Sequence, residues 1–327
     1  MSPISVVDYH TAGEPFRIVV DGAPPLSGDT VLAKRSHVRD HHDDVRQLII
    51  NEPRGHADQY GCYVTEPDDD GASFGLIFFH KDGYSTACGH GTIAAATWAF
   101  ESGRVMGPEG ENTLMIDVPS GRVMARVEVH RGRVRQATFV NVPSFVSGLG
   151  VRTGVEGIAV DVSYGGAFYA SVDADAIGMD VVPANVERFI QLGRAIKADF
   201  ELHPTVTHPV DDRLSGLYGV IFFNRLGLNH HRNITVFADG EVDRSPCGSG
   251  TSARLALLHS AGELGAGDVF THDSVIGSRF VARVIQEVAV GQVPAVVTEV
   301  TGTAHRTGSA TFTLDPADPL GLGFQLR

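Results

Sequence analysis

Cys88-Gly89-His90-Gly91-Thr92-Ile93-Ala94 and Cys247-Gly248-Ser249-Gly250-Thr251-Ser252-Ala253 are two versions of one heptapeptide. They are identical at five of seven positions and lie 159 residues apart. The same offset pairs Phe78 with Phe237, each ten residues before its cysteine. Each copy reads as strand, turn, Cys-Gly-x-Gly-Thr, helix. A repeat centred on two of only three cysteines predicts a duplicated lobe, with two similar domains facing a shared cleft. No low-complexity linker separates the halves, so the domains are expected to be joined by continuous strands.

Around the repeat, short β-type runs dominate. Strands are expected over residues 47–52, 61–65, 76–79, 115–118, 123–129 and 137–142. Further strands are expected over 158–162, 167–172, 219–223, 234–237, 281–287, 295–300 and 310–314. Helices are expected near residues 92–102, 186–198 and 251–263, the first ending at Gly103 and the last before Gly265. Residues 40–44 and 68–70 read as solvated acidic turns, and 201–212 as a loop.

The 327 residues suit about two domains of ordinary size. Apolar residues make up 43% and charged residues 20%, enough to build cores and against wholesale disorder. No apolar run approaches the ~18–20 residues that span a bilayer. The segment Met1-Ser2-Pro3-Ile4 has no basic head or apolar core, so a cytoplasmic location without a membrane partner is expected. The net charge of −13 argues against a nucleic-acid partner. Only Lys34, Lys81 and Lys197 could form a Schiff base with pyridoxal phosphate.

Three cysteines are too few for a disulfide framework, which fits a reducing compartment. Cys62, in a strand-like run, reads as a packed residue. Cys88 and Cys247 each precede a helix, where the positive end of the dipole should stabilise a thiolate and lower its pKa. The glycines that follow remove Cβ bulk and free backbone N–H groups to bind an anion such as a carboxylate. Two such sites facing each other would place thiols on opposite sides of one bound carboxylate. One thiolate could then take an α-proton while the opposite thiol returns one, inverting the carbon. The N–H clusters would stabilise the charge that builds on the carboxylate. Asp243, four residues before Cys247, could hold the substrate ammonium; its repeat partner is Tyr84, so the symmetry breaks there.

Several other features have plainer readings. Arg244 reads as a structural ion-pair residue. His37, His41 and His42 with Asp40, Asp43 and Asp44 lack a metal-ligand pattern and read as a solvated face, so no metal is expected. His230-His231 reads as a loop or pocket edge, and His10 as a support to the site. No Walker A motif or nucleophile elbow is present, and no dinucleotide-binding glycine fingerprint occurs in a convincing strand–helix context.

The chain resembles the proline racemase family, which includes proline racemase, 4-hydroxyproline 2-epimerase and trans-3-hydroxy-L-proline dehydratase. The matching stretches are Asp8-Tyr9-His10-Thr11-Ala12-Gly13-Glu14-Pro15, Arg54-Gly55-His56-Ala57-Asp58, residues 83–94, Tyr164-Gly165-Gly166-Ala167-Phe168-Tyr169-Ala170 and residues 243–253. The resemblance runs on through residues 302–327. It implies an α/β (α+β) fold of the diaminopimelate-epimerase type. Two pseudo-symmetric lobes, each a curved and mostly antiparallel sheet around a central helix, would enclose an active site in the cleft. Residues 1–145 plus 306–327 would carry Cys88, and residues 146–305 would carry Cys247.

By position, Cys88 and Cys247 match the two-base pair. Gly89, His90, Gly248 and Ser249 match the substrate-binding positions, and Asp243 the amine-binding aspartate. Tyr60 and Phe237 match residues that pack on the pyrrolidine ring. A cofactor-independent homodimer acting on proline or hydroxyproline is implied. The racemases and epimerases resemble Cys/Cys at the two catalytic positions, whereas the dehydratases resemble Cys/Thr. This chain has cysteine at both, which favours proline racemase or 4-hydroxyproline 2-epimerase activity. Residues 164–170 and 302–308 look more like the dehydratase branch, so dehydration of trans-3-hydroxy-L-proline is the first alternative. A non-catalytic imino-acid-binding protein is the second.

Overall fold

A computed structural model describes residues 2–155 and 157–326. Met1, Glu156 and Arg327, which fall within the expected domain ranges, lie outside the described residues. The chain divides into two compact units. The first comprises residues 1–86, 91–137 and 303–327; the second comprises residues 87–90 and 138–302.

In the first unit, β1 (Ile4–Thr11) and β2 (Glu14–Asp21) form an antiparallel hairpin. Ala12 and Gly13 turn it, with φ of 51° and 95°. Then follow α1 (Val31–His41), α2 (Asp43–Ile50), β3 (Tyr60–Thr65), β4 (Phe74–His80), β5 (Gly83–Tyr84) and α3 (Gly89–Glu101). The run closes with β6 (Gly110–Val118), β7 (Gly121–His130) and β8 (Arg133–Val140). Gly89 and His90 at the head of α3 and residues 138–140 at the end of β8 belong to the second unit. β2 is parallel to β3, β3 antiparallel to β4, and β4 antiparallel to β5. β4 also pairs in parallel with β6, which is antiparallel to β7.

The second unit repeats this plan. It contains β9 (Ser144–Arg152), β10 (Ala159–Tyr164), β11 (Phe168–Asp173), α4 (Val186–Asp199), β12 (Leu217–Gly227), β13 (His230–Phe237) and β14 (Glu241–Asp243). α5 (Gly248–Ser260), β15 (Phe270–Ser274), β16 (Arg279–Val290) and β17 (Val293–Gly302) complete it. β10 is antiparallel to β11, β11 parallel to β12, β12 antiparallel to β13, and β13 antiparallel to β14. β13 pairs in parallel with β15, which is antiparallel to β16. Every one of these pairings has its counterpart in the first unit. The final strand β18 (Ala304–Phe312) returns to pair antiparallel with β1, as β9 does with β10.

The duplication is closest at the two central helices. α3 and α5 have 13 residues each and start one residue after their cysteines. α5 is buried from Gly248 to Leu258 and packs on β9, β10, β11, β16 and β17. Ala94, Ala95 and Ala99 of α3 are also fully buried. A helix apolar on all sides belongs inside a core, not on its surface. Both helices begin three residues before the expected positions, because the Cys-Gly-x-Gly segment is itself the first turn.

Residues 47–52, expected to form a strand, instead close α2 and its exit. Leu48, Ile49 and Ile50 pack with Val31, Val38 and Val45 against Tyr63, Ile77 and Phe79. A short apolar run does not separate a buried helix face from a strand. Better signals preceded it: Thr30 Oγ1 caps α1 by accepting from Ala33 N–H (3.1 Å), and Asp43 and Asp44 occupy the first turn of α2. Asp40–Asp44 therefore spans two helix ends and is not a turn alone. Asp40 pairs with Arg39 and Asp43 with Arg46.

Candidate active site

Residues 243–251 form a chain of local contacts. Asp243 ends β14, with Thr235 of β13 as its cross-strand neighbour. Ser245 N–H donates to Asp243 Oδ1 (2.7 Å), and Cys247 N–H donates to Ser245 Oγ (3.1 Å). The Pro246 carbonyl is gripped from two sides, by Asn233 Nδ2 (2.8 Å) and Thr251 Oγ1 (3.2 Å). Thr251 and Asn233 both reach the buried His272. These contacts hold Cys247 at φ 62°, a left-handed conformation that is uncommon outside glycine. Such strain costs about 1–3 kcal/mol and persists only where surroundings enforce it.

Cys247 is the N-cap residue of α5, with no side-chain cap bond. The helix leaves its first N–H groups, at Gly248, Ser249 and Gly250, without intrahelical acceptors. The Gly250 backbone N–H lies on the side of the Cys247 thiol and favours its ionised form. A Cβ on Gly250 would lie 2.9 Å from Sγ, so only glycine fits there without a shift.

The other Cys-Gly pair lies against this one. A Cβ built on Gly89 would lie 2.6 Å from Gly248 Cα, and one on Gly248 would lie 2.7 Å from Gly89 Cα. The ring of Phe139 closes on both glycines, at 2.7 and 2.9 Å from those positions. The two glycines therefore meet backbone to backbone. Cys88 Sγ is 3.4–3.5 Å from the His90 ring nitrogens, and His90 Nδ1 is 3.7 Å from Asp243 Oδ2. Cys88, His90 and Asp243 are all nearly inaccessible to water.

Burial sets the charges. It lowers His90 to about 3, so the imidazole facing Asp243 is neutral at physiological pH. It raises Asp243 to about 6, a rise held back by bonds from Ser245 and Cys247 and by the charge of Arg244. Arg244 Nη1 itself donates to the Val242 carbonyl (2.7 Å). The Cys247 thiol is pushed up, not down: burial comes first and the Asp243 charge second. Bonds from Tyr169, Gly250 and Thr235 oppose them. The expected fall in pKa at a helix N-terminus is overridden here, because desolvation of a buried thiolate outweighs a dipole contribution of up to ~2 kcal/mol.

Ser249 and Phe237 belong to the same unit. Ser249 Oγ is 2.7 Å from Tyr169 OH, which is 3.6 Å from Cys247 Sγ. Phe237 stacks on Tyr218, with ring centroids 5.6 Å apart. Tyr60 lies in the first unit, where its hydroxyl bonds Ser85 Oγ and its ring stacks near Phe16. Cys62 is fully buried in β3, and burial raises its thiol pKa. His230 and His231 lie in β13 and not in a loop; His231 is buried and stacks on Phe223. Tyr169, in the stretch of residues 164–170, joins the site without any spacing in the sequence that announces it.

The family model for proline racemase matches residues 6–325. The chain belongs to the proline racemase family. A protein of Burkholderia multivorans named 3-hydroxyproline 2-epimerase is 44% identical, covering 99% of this chain and 98% of its own length. A protein of Burkholderia ambifaria named trans-3-hydroxy-L-proline dehydratase has the same identity and coverage. A hydroxyproline epimerase of Agrobacterium vitis, solved with bound trans-4-hydroxy-L-proline, superposes with a TM-score of 0.94 at 32% identity. That match covers 99% of this chain and 96% of the other. At 13% identity and a TM-score of 0.59, a phenazine-biosynthesis-family protein of Bacillus anthracis shares the fold. The chain is thus an enzyme of a family whose named activities are racemisation or epimerisation and, in some relatives, dehydration. Among the described residues, no helix is long and apolar enough to cross a membrane.

Proposed function

We propose that this enzyme inverts the α-carbon of a hydroxyproline by a two-thiol mechanism, with trans-3-hydroxy-L-proline the first substrate to test. The observation that carries the reading is the pair of Cys-Gly turns, backbone against backbone at Gly89 and Gly248, with cysteine in both. A second thiol has a direct use in inversion, which needs a base on one face and an acid on the other. Elimination of water needs one α-base only.

In this scheme the substrate carboxylate lies across the N–H groups of Gly89, His90, Gly248 and Ser249. Asp243 receives the ring ammonium. That cation offsets the carboxylate charge which, in the ligand-free enzyme, adds to burial in making the Cys247 thiolate costly. Bound substrate therefore helps to activate the base that will attack it. One thiolate takes the α-proton, the negative charge passes to the carboxylate, and the opposite thiol delivers its proton to the other face. The first cysteine leaves the turnover as a thiol and the second as a thiolate. No cofactor is required, since the thiols carry the protons. Phe237 offers a ring face to the pyrrolidine, and Tyr60 is retained as a ring contact on the resemblance alone. A homodimer is likewise part of the proposal.

Dehydration of the same substrate is the second reading, favoured by relatives such as the Burkholderia ambifaria protein. Both routes begin with α-proton removal and diverge at the 3-hydroxyl. The test is product analysis after incubation with trans-3-hydroxy-L-proline, by chiral chromatography with and without borohydride. Inversion yields cis-3-hydroxy-D-proline and nothing for borohydride to reduce. Proline appearing after borohydride treatment marks a cyclic imine, and with it a dehydratase.

A further inference from the structure

Beyond the two cysteines, the second unit holds a buried hydroxyl pair beside the Cys247 thiol. Tyr169 lies on β11 beside Gly219 of β12, which in turn faces Phe237 of β13. A Cβ on Gly219 would sit 3.4 Å from the Tyr169 ring. The tyrosine packs in one apolar cluster with Ala167, Ile221, Cys247 and Ala253. Its hydroxyl is 2.7 Å from Ser249 Oγ and 3.6 Å from Cys247 Sγ. All three residues are buried, so no bulk water competes for these bonds.

We propose that Tyr169 is a positioning residue for Cys247, its hydroxyl held by Ser249 so that it donates to the sulfur whenever that sulfur is a thiolate. In the resting form the Cys247 sulfur and the Tyr169 hydroxyl lie 3.6 Å apart, while Asp243 also accepts from the thiol. On ionisation the hydroxyl donates to sulfur while accepting from Ser249 O–H. The result is a chain from Ser249 through Tyr169 to the thiolate, in which each bond polarises the next. Tyr169 keeps its proton throughout.

Other groups facing the thiol divide by sign. Asp243 from β14 opposes ionisation, while Gly250 N–H from α5 and Thr235 from β13 favour it with Tyr169. Arg244 acts on the site by lowering Asp243. Cys88 has a different neighbour, the neutral His90 ring. The two thiols of a symmetric repeat are therefore tuned by different chemistry, and Tyr169 sets the Cys247 arm. The role in catalysis rests on the two-thiol reading; the effect on the sulfur does not.

The test is the alkylation rate of each cysteine by iodoacetamide at pH 8, followed by peptide mass spectrometry on the full-length protein. A hydrogen bond to a charged group corresponds to roughly ten-fold. Tyr169→Phe and Ser249→Ala should each slow alkylation of Cys247 about ten-fold, Ser249→Thr should restore it, and Cys88 should stay within about two-fold. An unchanged Cys247 rate, or an equal fall at both cysteines, overturns the proposal. If Tyr169→Phe fails to fold, the Ser249 pair decides. A parallel arm measures α-hydrogen exchange of trans-3-hydroxy-L-proline in D2O in the Cys88→Ser background. There Tyr169→Phe should cut exchange about ten-fold, and in the Cys247→Ser background it should not. Absence of exchange by the wild-type enzyme sinks the two-thiol reading while leaving the alkylation result to judge Tyr169.

Discussion

Replacing Gly248 by alanine tests the contact that defines the site. The new Cβ would lie 2.7 Å from Gly89 Cα, 3.0 Å from Gly89 C and 2.9 Å from the Phe139 ring. Carbon atoms pack at about 3.5–4.0 Å, so two backbones must part by about an ångström. Neither is the free end of a flexible side chain. Overpacking of this kind costs about 1–3 kcal/mol. Helix propensity works the other way, favouring alanine by up to about 1 kcal/mol. The net expectation is a loss of about 1–2 kcal/mol, seen as a drop of a few °C in Tm. Activity should suffer far more, because displacing catalytic groups by about 1 Å can cost about 100-fold. Gly227→Ala is the control, since no atom lies within 4 Å of its added Cβ. Its Tm should be unchanged or slightly raised. The assay pairs thermal unfolding with initial rates. A Gly248→Ala enzyme with wild-type Tm and kcat would refute the backbone contact and the site built on it.

Asp243→Asn should raise KM about 10- to 100-fold with a smaller effect on kcat, as expected for loss of a buried charge-assisted bond to the substrate ammonium; steady-state kinetics read this. The raised pKa of Asp243 also has a stability consequence. The folded state binds the proton more tightly than the unfolded chain, so ligand-free stability contributed by this group is present below pH ~4 and is lost as pH rises towards 6. Denaturant titrations across that window should show a slope that Asp243→Asn removes. In the same window kcat/KM should fall as the pH drops, because a protonated Asp243 cannot pair with the ammonium. Cys247→Thr should abolish inversion at C2, and chiral chromatography should show no cis-3-hydroxy-D-proline; any remaining turnover should be borohydride-trappable.

Much of this architecture was legible because the chain repeats itself. One heptapeptide identified both central helices and both thiols, and the same offset carried Phe78 to Phe237. Alternation and turn residues located most strands, since half-buried strands expose every second side chain. Residues 47–52 form a helix end where a strand is expected, because Leu48, Ile49 and Ile50 are all buried, which erases any period. Asp43 and Asp44, in the first turn of the helix that holds residues 47–50, are the signal for a helix there. At the site, residue types and order pointed to the cysteines, glycines and Asp243. The Cys247 thiol could not be gauged from sequence, because its ionisation depends on burial and on partners from β11, β13 and β14. Tyr169 reaches that sulfur from 78 residues away in sequence, and no local spacing announces it.

The central claim is that two thiols exchange the α-proton of a hydroxyproline. Proton NMR of the reduced enzyme with trans-3-hydroxy-L-proline in D2O tests it most directly, with L-proline and trans-4-hydroxy-L-proline alongside. The account predicts that the α-proton signal disappears as the C2 epimer accumulates with deuterium at that carbon, while the ring protons persist. Loss of the ring signals to an imine product, with no epimer formed from any of the three, would contradict it.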